Sequence, residues 1–271
     1  MCIRDRFIVG VGIIVAIFNS DQWNMTEKDL TYDNINTTIY DADGNEIANL
    51  AGAERRKVVP LSEIPKHLQD AYISIEDERF EQHHGVDIKR TLAVTVKYIL
   101  HRGSSSSGGG STITQQTVKN FMNDKDDSGL GGIKRKVREM SRAIKLEKQL
   151  SKSQILELYL NLIFVGGPGI HGVELGSQYY FNKSVKDLDL AECAFLAGIN
   201  NAPNSYNPFE EKDNSELIKK RTKTVLAKMK ELGKITEEEY NSAKEEVEAG
   251  LKFEKGTTTT NVSMSYLARA A

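Results

Sequence analysis

From Pro65 onward the apolar residues of this chain recur at spacings of three and four almost without interruption, and that periodicity confines most of it to α-helix. Leu68, Tyr72 and Ile75 form one stripe behind Pro65, a residue suited to a first helical position. Ile88, Leu92, Thr95, Val96 and Ile99 form a second stripe behind an Asp87 cap. Ile133, Val137, Met140 and Ile144 predict a long helix ending near Leu150. Ser151, with Gln154 three residues on, predicts a capping box opening the helix of Ile155, Leu158, Tyr159 and Leu162. Gly166-Gly167-Pro168-Gly169 then breaks the chain, shorter helices follow to Gly198, and Thr236 with Glu239 opens one more after the Gly233 stop. A β pattern occurs only ahead of these stripes. Thr37 to Tyr40 and Glu46 to Ala48 flank Asp43-Gly44, whose glycine supplies the positive φ of a tight hairpin turn. The fold class expected is a mostly α domain behind a small β element.

The N-terminus does not fit a soluble domain. Phe7 to Phe18 is an uncharged run of 12 residues behind Arg4 and Arg6. As a helix it would span about 18 Å, against a hydrocarbon core of about 30 Å. A signal-peptide core would need a small-residue cleavage site, yet Ile17-Phe18-Asn19-Ser20 follows. A buried core helix is a poor use for a bare apolar run at a terminus. The favoured reading is a membrane anchor lacking its first half, with the arginines held on the cytoplasmic side and the rest of the chain outside. The opening Met1-Cys2-Ile3-Arg4-Asp5-Arg6 does not resemble a natural start. Residues 1–20 are thus expected to be the anchor and 21–53 a membrane-proximal linker with the hairpin. Two cysteines exclude a disulfide framework, and no Cys/His cluster suggests structural zinc. A formal charge of −2 excludes bulk attraction to nucleic acid, so any polyanion site must come from local charge.

Three segments carry candidate chemistry. In Glu76-Asp77-Glu78-Arg79-Phe80-Glu81-Gln82-His83-His84-Gly85, acids and histidines gather at a helix end. That is either a solvated terminus or, with a carboxylate partly desolvated beside Phe80, a general base. If the helix continues, Phe80 and His83 share a face with Glu76. In Gly109-Gly110-Ser111-Thr112-Ile113-Thr114-Gln115-Gln116, glycine admits close backbone approach and Ser111 can cap a helix. The free N–H groups and polar side chains there suit phosphate or sugar hydroxyls, although an ordinary capped loop reads the same way. Residues 119–152 hold ten basic and five acidic residues, a local +5. Arg135 and Lys136 precede Glu139 by one helical turn, and Arg142 follows by one. The bland alternative is a salt-bridged face; the functional one is a carboxylate that orients cations, or holds a divalent metal, against a pyrophosphate.

Five motifs occur in order: Glu76-Asp77-x-x-Phe80-x-x-His83-x-Gly85, Gly109 to Gln116, Arg135-Lys136-x-x-Glu139, Ile155 to Asn161, and Arg221-x-x-x-Val225-Leu226-x-x-Met229. Together they resemble the peptidoglycan glycosyltransferase domain (glycosyltransferase family 51) of class A penicillin-binding proteins and monofunctional transglycosylases, over about residues 54–240. The resemblance implies a lysozyme-like large lobe with a smaller membrane-associated jaw lobe, the domain spanning 54–250. It implies polymerisation of lipid II into β-1,4 glycan strands with inversion and release of undecaprenyl pyrophosphate. Glu76 would be the base and Glu139 the second catalytic carboxylate and metal ligand. Substrate would be held by Asp77, Phe80, His83 and Gly85, by Gly110, Ser111, Thr112, Thr114, Gln115 and Gln116, and by Lys119, Arg135, Lys136, Glu157 and Asn161. A divalent cation, Mg or Mn, is implied and no organic cofactor. The partners implied are lipid II, the growing undecaprenyl-pyrophosphate-linked strand, the membrane and a cell-wall synthesis complex, with no nucleic acid. The localisation implied is the cell membrane, single-pass, with the catalytic domain on the extracytoplasmic side.

Two departures accompany the likeness. Residues 123–134 form an acidic, glycine-rich insert where relatives often carry an arginine near the donor phosphate, and Lys125 or Lys134 would have to substitute. Thr222 stands where a second arginine is common. No S-x-x-K or K-T-G motif occurs, so these residues carry no penicillin-reactive transpeptidase site. Residues 251–271 are expected to begin a linker to such a domain. The rival readings are a lytic or hydrolytic enzyme of lysozyme-like fold, which also uses carboxylates, and a non-enzymatic anchored cell-wall module.

Overall fold

The computed structural model describes residues 37–40, 46–50, 55–91, 93, 109–122 and 130–256. They divide into two compact units: 79–159, and 37–78 together with 160–256. The apolar run of residues 7–18, most of the stripe beyond Thr91, the serine-rich stretch 103–108 and the insert residues 123–129 lie outside the described residues. Among the described residues no helix is long and apolar enough to cross a membrane.

In the larger unit, β1 (Thr37–Tyr40) and β2 (Glu46–Leu50) pair antiparallel as the hairpin anticipated, Thr37 opposite Leu50 and Ile39 opposite Ala48. A three-stranded sheet follows the order β3 (Arg55–Arg56), β5 (Ile170–His171), β4 (Phe164–Gly166). Its β3–β5 pair is parallel and its β4–β5 pair antiparallel. The helical core of this unit is α1 (Lys66–Glu76), α6 (Leu190–Ile199), α7 (Ser215–Glu231) and α8 (Glu237–Ala249), with α5 (Val173–Phe181) beside the sheet. Every residue of α6 from Ala191 to Ile199 is buried, so it is the central helix against which α1, α7 and α8 all pack. Its Cys193 thiol is pushed up by burial, which makes it an inert packing group. Pro65 sits one position before α1 rather than inside it.

The smaller unit holds a 3₁₀ turn at Phe80–Gln82, a helix opening at 88, α2 (Ile113–Met122), α3 (Leu130–Gln149) and the first two turns of α4 (Lys152–Leu162). Asp87 caps the helix at 88 as expected, its carboxylate accepting from the Arg90 amide at 2.9 Å. Ser151 and Gln154 form the anticipated reciprocal box at the head of α4. α3 begins at Leu130, so the last part of the insert, Gly131 to Lys134 included, is helical. Its inward face differs from the apolar stripe. Ala143 and Leu146 are fully buried with Glu139 and Arg142 nearly so, while Met140 and Ile144 line a cavity of about 530 Å³ with Val86 and Ile88. Gly85 gives the reason. Its φ is +86°, and a Cβ there would lie 2.5 Å from the Ala143 carbonyl carbon. The loop can only meet α3 where both partners are small.

Candidate active site

α1 stops at Glu76. Asp77 departs from helical geometry at φ −153°, ψ 69°, so Phe80 and His83 do not continue the face of Glu76 as the sequence suggested. In the larger unit Glu76 is half-buried, and its Oε1 accepts a hydrogen bond from the Asn200 side-chain amide at 3.2 Å. One turn earlier, the Tyr72 hydroxyl donates to the Leu196 carbonyl at 3.0 Å. Burial, then the Glu76 charge, pushes the Tyr72 phenol well above its ordinary range, so it stays a neutral donor. Asp77 is wholly buried. Asn161 is also wholly buried. Its amide takes the Val59 backbone at both ends, accepting from the N–H at 3.0 Å and donating to the carbonyl at 2.9 Å. Geometry therefore makes Asn161 a strut between the chain ahead of α1 and the end of α4.

The smaller unit gathers most of the other candidates. Thr112, not Ser111, caps α2: its Oγ1 accepts from the Gln115 amide at 3.1 Å, and the Gln115 side chain accepts from the Thr112 amide at 3.0 Å. That reciprocal box occupies Thr112 and Gln115 locally, and Thr112 Oγ1 also donates to the Gly85 carbonyl at 2.7 Å. The glycine-rich motif is thereby tied to the loop of the first motif. Ser111, relieved of capping, accepts from Lys136 Nζ at 2.8 Å, and the same ammonium pairs with the buried Glu139 carboxylate. Gln116 accepts from the Tyr159 hydroxyl at 3.4 Å. Gly110, Arg135 and Glu157 are half-exposed, and Lys119 stands exposed near the end of α2.

A second cluster holds this assembly from behind. Glu147, its side chain only 4% exposed, accepts from the Thr114 hydroxyl at 2.6 Å and from Lys152 Nζ at 2.7 Å. Its carboxylate lies 3.9 Å from His83 Nδ1. Lys152 also donates to the His83 carbonyl at 2.7 Å and rests over the Phe80 ring, 4.5 Å from its centroid. Arg79 grips Asp87 with two hydrogen bonds of 2.8 and 2.9 Å. Burial raises the Asp87 carboxyl, but the Arg90 amide and the Arg79 guanidinium outweigh it and hold the group below its ordinary range. Glu147, Lys152 and Asn200 escaped the sequence reading. The first two were counted only as charges in a basic stretch. Nothing local marks Asn200, which is 124 positions from its partner.

A divalent cation at Glu139 does not fit the donors present. The one carboxylate is already neutralised by Lys136, and among the described residues no three carboxylate, imidazole or thiolate side chains converge.

The elements therefore define a mostly helical protein in which one unit sets the Lys136–Glu139 pair against a capped helix start and the other presents a carboxylate at a helix end. A family model described as Transglycosylase matches residues 43–230, and the chain belongs to that family. The chain is 42% identical over 255 residues to penicillin-binding protein 1A of Clostridium botulinum, covering 92% of this chain and 30% of that protein. It is 39% identical over 262 residues to penicillin-binding protein 1F of Bacillus subtilis, covering 95% of this chain and 34% of that one. A crystal structure of penicillin-binding protein 1A from Haemophilus influenzae overlays with a TM-score of 0.46 at 24% identity, covering 89% of this chain and 24% of that chain. The chain thus spans about a third of the length of the curated relatives it matches.

Proposed function

We propose that this chain is a peptidoglycan glycosyltransferase that polymerises lipid II into β-1,4 glycan strands. Glu76 takes the proton from the 4-hydroxyl of the acceptor N-acetylglucosamine. That oxygen forms a bond to the anomeric carbon of the donor N-acetylmuramic acid as the bond to pyrophosphate breaks, and the α configuration becomes β. Lys119, Arg135 and Lys136 stabilise the departing undecaprenyl pyrophosphate, with Glu139 orienting Lys136. Positioned base catalysis is typically worth ~10²–10⁴-fold, and electrostatic stabilisation of a leaving group contributes comparably. The reading further includes an N-terminal single-pass anchor, an extracytoplasmic catalytic domain with a membrane-associated jaw lobe, and a place in a cell-wall synthesis complex.

The observation that carries the reading is the Lys136 ammonium bridging Ser111 and Glu139 in a chain of the transglycosylase family. It joins the glycine-rich motif to the basic helix and so supports an anion site where two sequence-distant motifs meet. Incubation with lipid II and, separately, with finished peptidoglycan tests it: polymer supports the transferase, fragments the lytic reading, and no change in either the non-enzymatic module. In the same assay Glu76→Gln keeps the shape but cannot accept the proton, so turnover should fall by ~10²-fold or more with the melting temperature unchanged. Wild-type turnover in that variant would remove Glu76 as the base.

A further inference from the structure

We propose that Asn200 is a positioning residue for the Glu76 carboxylate, a role that rests on the reading of Glu76 as the base. The hydrogen bond from Asn200 Nδ2 to Glu76 Oε1 is 3.2 Å long and part-buried. It does not stand alone. Tyr72 to Leu196 and Glu76 to Asn200 are two side-chain links between the same pair of helices, each partner advanced by four residues. Four residues is about one helical turn, so α1 and the end of α6 are linked at two successive levels. The first link is fully buried and fixes the level of the second.

The support behind Asn200 is rigid. Asn200 keeps right-handed helical geometry, φ −53° and ψ −29°, directly after the buried helix α6. From α7, Arg221 Nε donates to the Gly198 carbonyl at 2.9 Å, two residues before Asn200, and holds that terminus. A Cβ on Gly198 would meet the Arg221 Cγ at 3.3 Å, so the guanidinium stem lies directly on the backbone there. The amide is therefore presented from a terminus secured by two other elements.

The chemistry of an amide suits the task. A side-chain amide donates two hydrogens and does not ionise in the working range, so it aims a carboxylate without competing for the proton. Holding Oε1 fixes rotation of the carboxyl group. A base must lie within hydrogen-bond reach of the proton it removes, so fixed rotation acts on the chemical step rather than on substrate affinity.

The test is steady-state polymerisation of lipid II by the full chain carrying Asn200→Ala, Asn200→Asp or Glu76→Gln, and by the Glu76→Gln/Asn200→Ala double variant. Asn200→Ala should lower kcat roughly tenfold, the scale of one hydrogen bond to a charged group, with KM within about twofold. Asn200→Asp keeps the shape but sets a like charge against the carboxylate, and it should lower kcat further. Once Glu76 is already glutamine, Asn200→Ala should cost no more than about twofold, because the group it aims is gone. Wild-type kcat in both Asn200 variants, with Glu76→Gln inactive, would overturn the positioning role while leaving the base assignment standing. Equal losses from Asn200→Ala in the two backgrounds, with a lowered melting temperature, would make Asn200 a structural helix end and overturn it as well. Full activity of Glu76→Gln alone would overturn the base assignment first and this role with it.

Discussion

Lys152 shows how one side chain can join several motifs of this family without belonging to any of their reactive groups. Its ammonium neutralises the buried Glu147, caps the His83 carbonyl and covers the Phe80 ring, while Glu147 holds Thr114. The loop of residues 80–85 and the start of α2 are thus fastened to the end of α3 through one ion pair. Replacing Lys152 by methionine keeps the stem on Phe80 but leaves a carboxylate buried without its cation. Removing one partner of such a pair is expensive, so Lys152→Met should lower the unfolding free energy by about 3 kcal/mol. Chemical denaturation checks the figure, and Lys152→Arg should recover part of the loss because the charge returns. A loss within about 0.5 kcal/mol would mean that water already screens this pair at the surface.

At the scale of elements, much of the structure was legible because helix starts are written locally. Ser151/Gln154 and Thr236/Glu239 are reciprocal boxes in space as in sequence, and Asp87 caps where it was expected to. Asp189/Glu192 opens α6 with the same pattern. The glycine-rich motif was misread by one residue, since serine and threonine both cap well. The discriminating residue is Gln115, three after Thr112, where Ser111 has only Thr114. The inward face of α3 was not legible, because it is set by the closeness of Gly85 rather than by apolar spacing. The Thr236 and Thr112 boxes differ in burial, the first exposed and the second buried. Thr236→Ala removes an exposed cap and should cost about 1 kcal/mol. Thr112→Ala removes a buried cap and the bond to the Gly85 carbonyl together, so its loss should be about twice as large. Equal losses in denaturant titrations would show that the Gly85 link contributes nothing to stability.

Across the whole molecule, the five motifs could be put in order along the chain, but their distribution between units could not. Glu76 and Asn161 belong to one unit while Glu139, Lys136 and the capped glycine-rich segment belong to the other. The residues that brace them, Asn200 for Glu76 and Lys152 for the His83 loop, act across 124 and 69 positions, far beyond any periodicity. What sequence does carry at this scale is the apolar run of residues 7–18 behind Arg4 and Arg6. On the proposed function its lipid substrate is confined to a bilayer, so a chain held at the same surface meets it at a high effective concentration. A chain beginning near residue 30 should be markedly more soluble without detergent, and should lose most of its turnover on lipid II in vesicles while retaining it on lipid II dispersed in detergent. Some vesicle binding should survive the truncation if a jaw lobe also meets lipid. Flotation of both forms with vesicles, alongside the two turnover assays, separates these contributions. Identical solubility and identical vesicle turnover would assign the apolar run no part in membrane attachment.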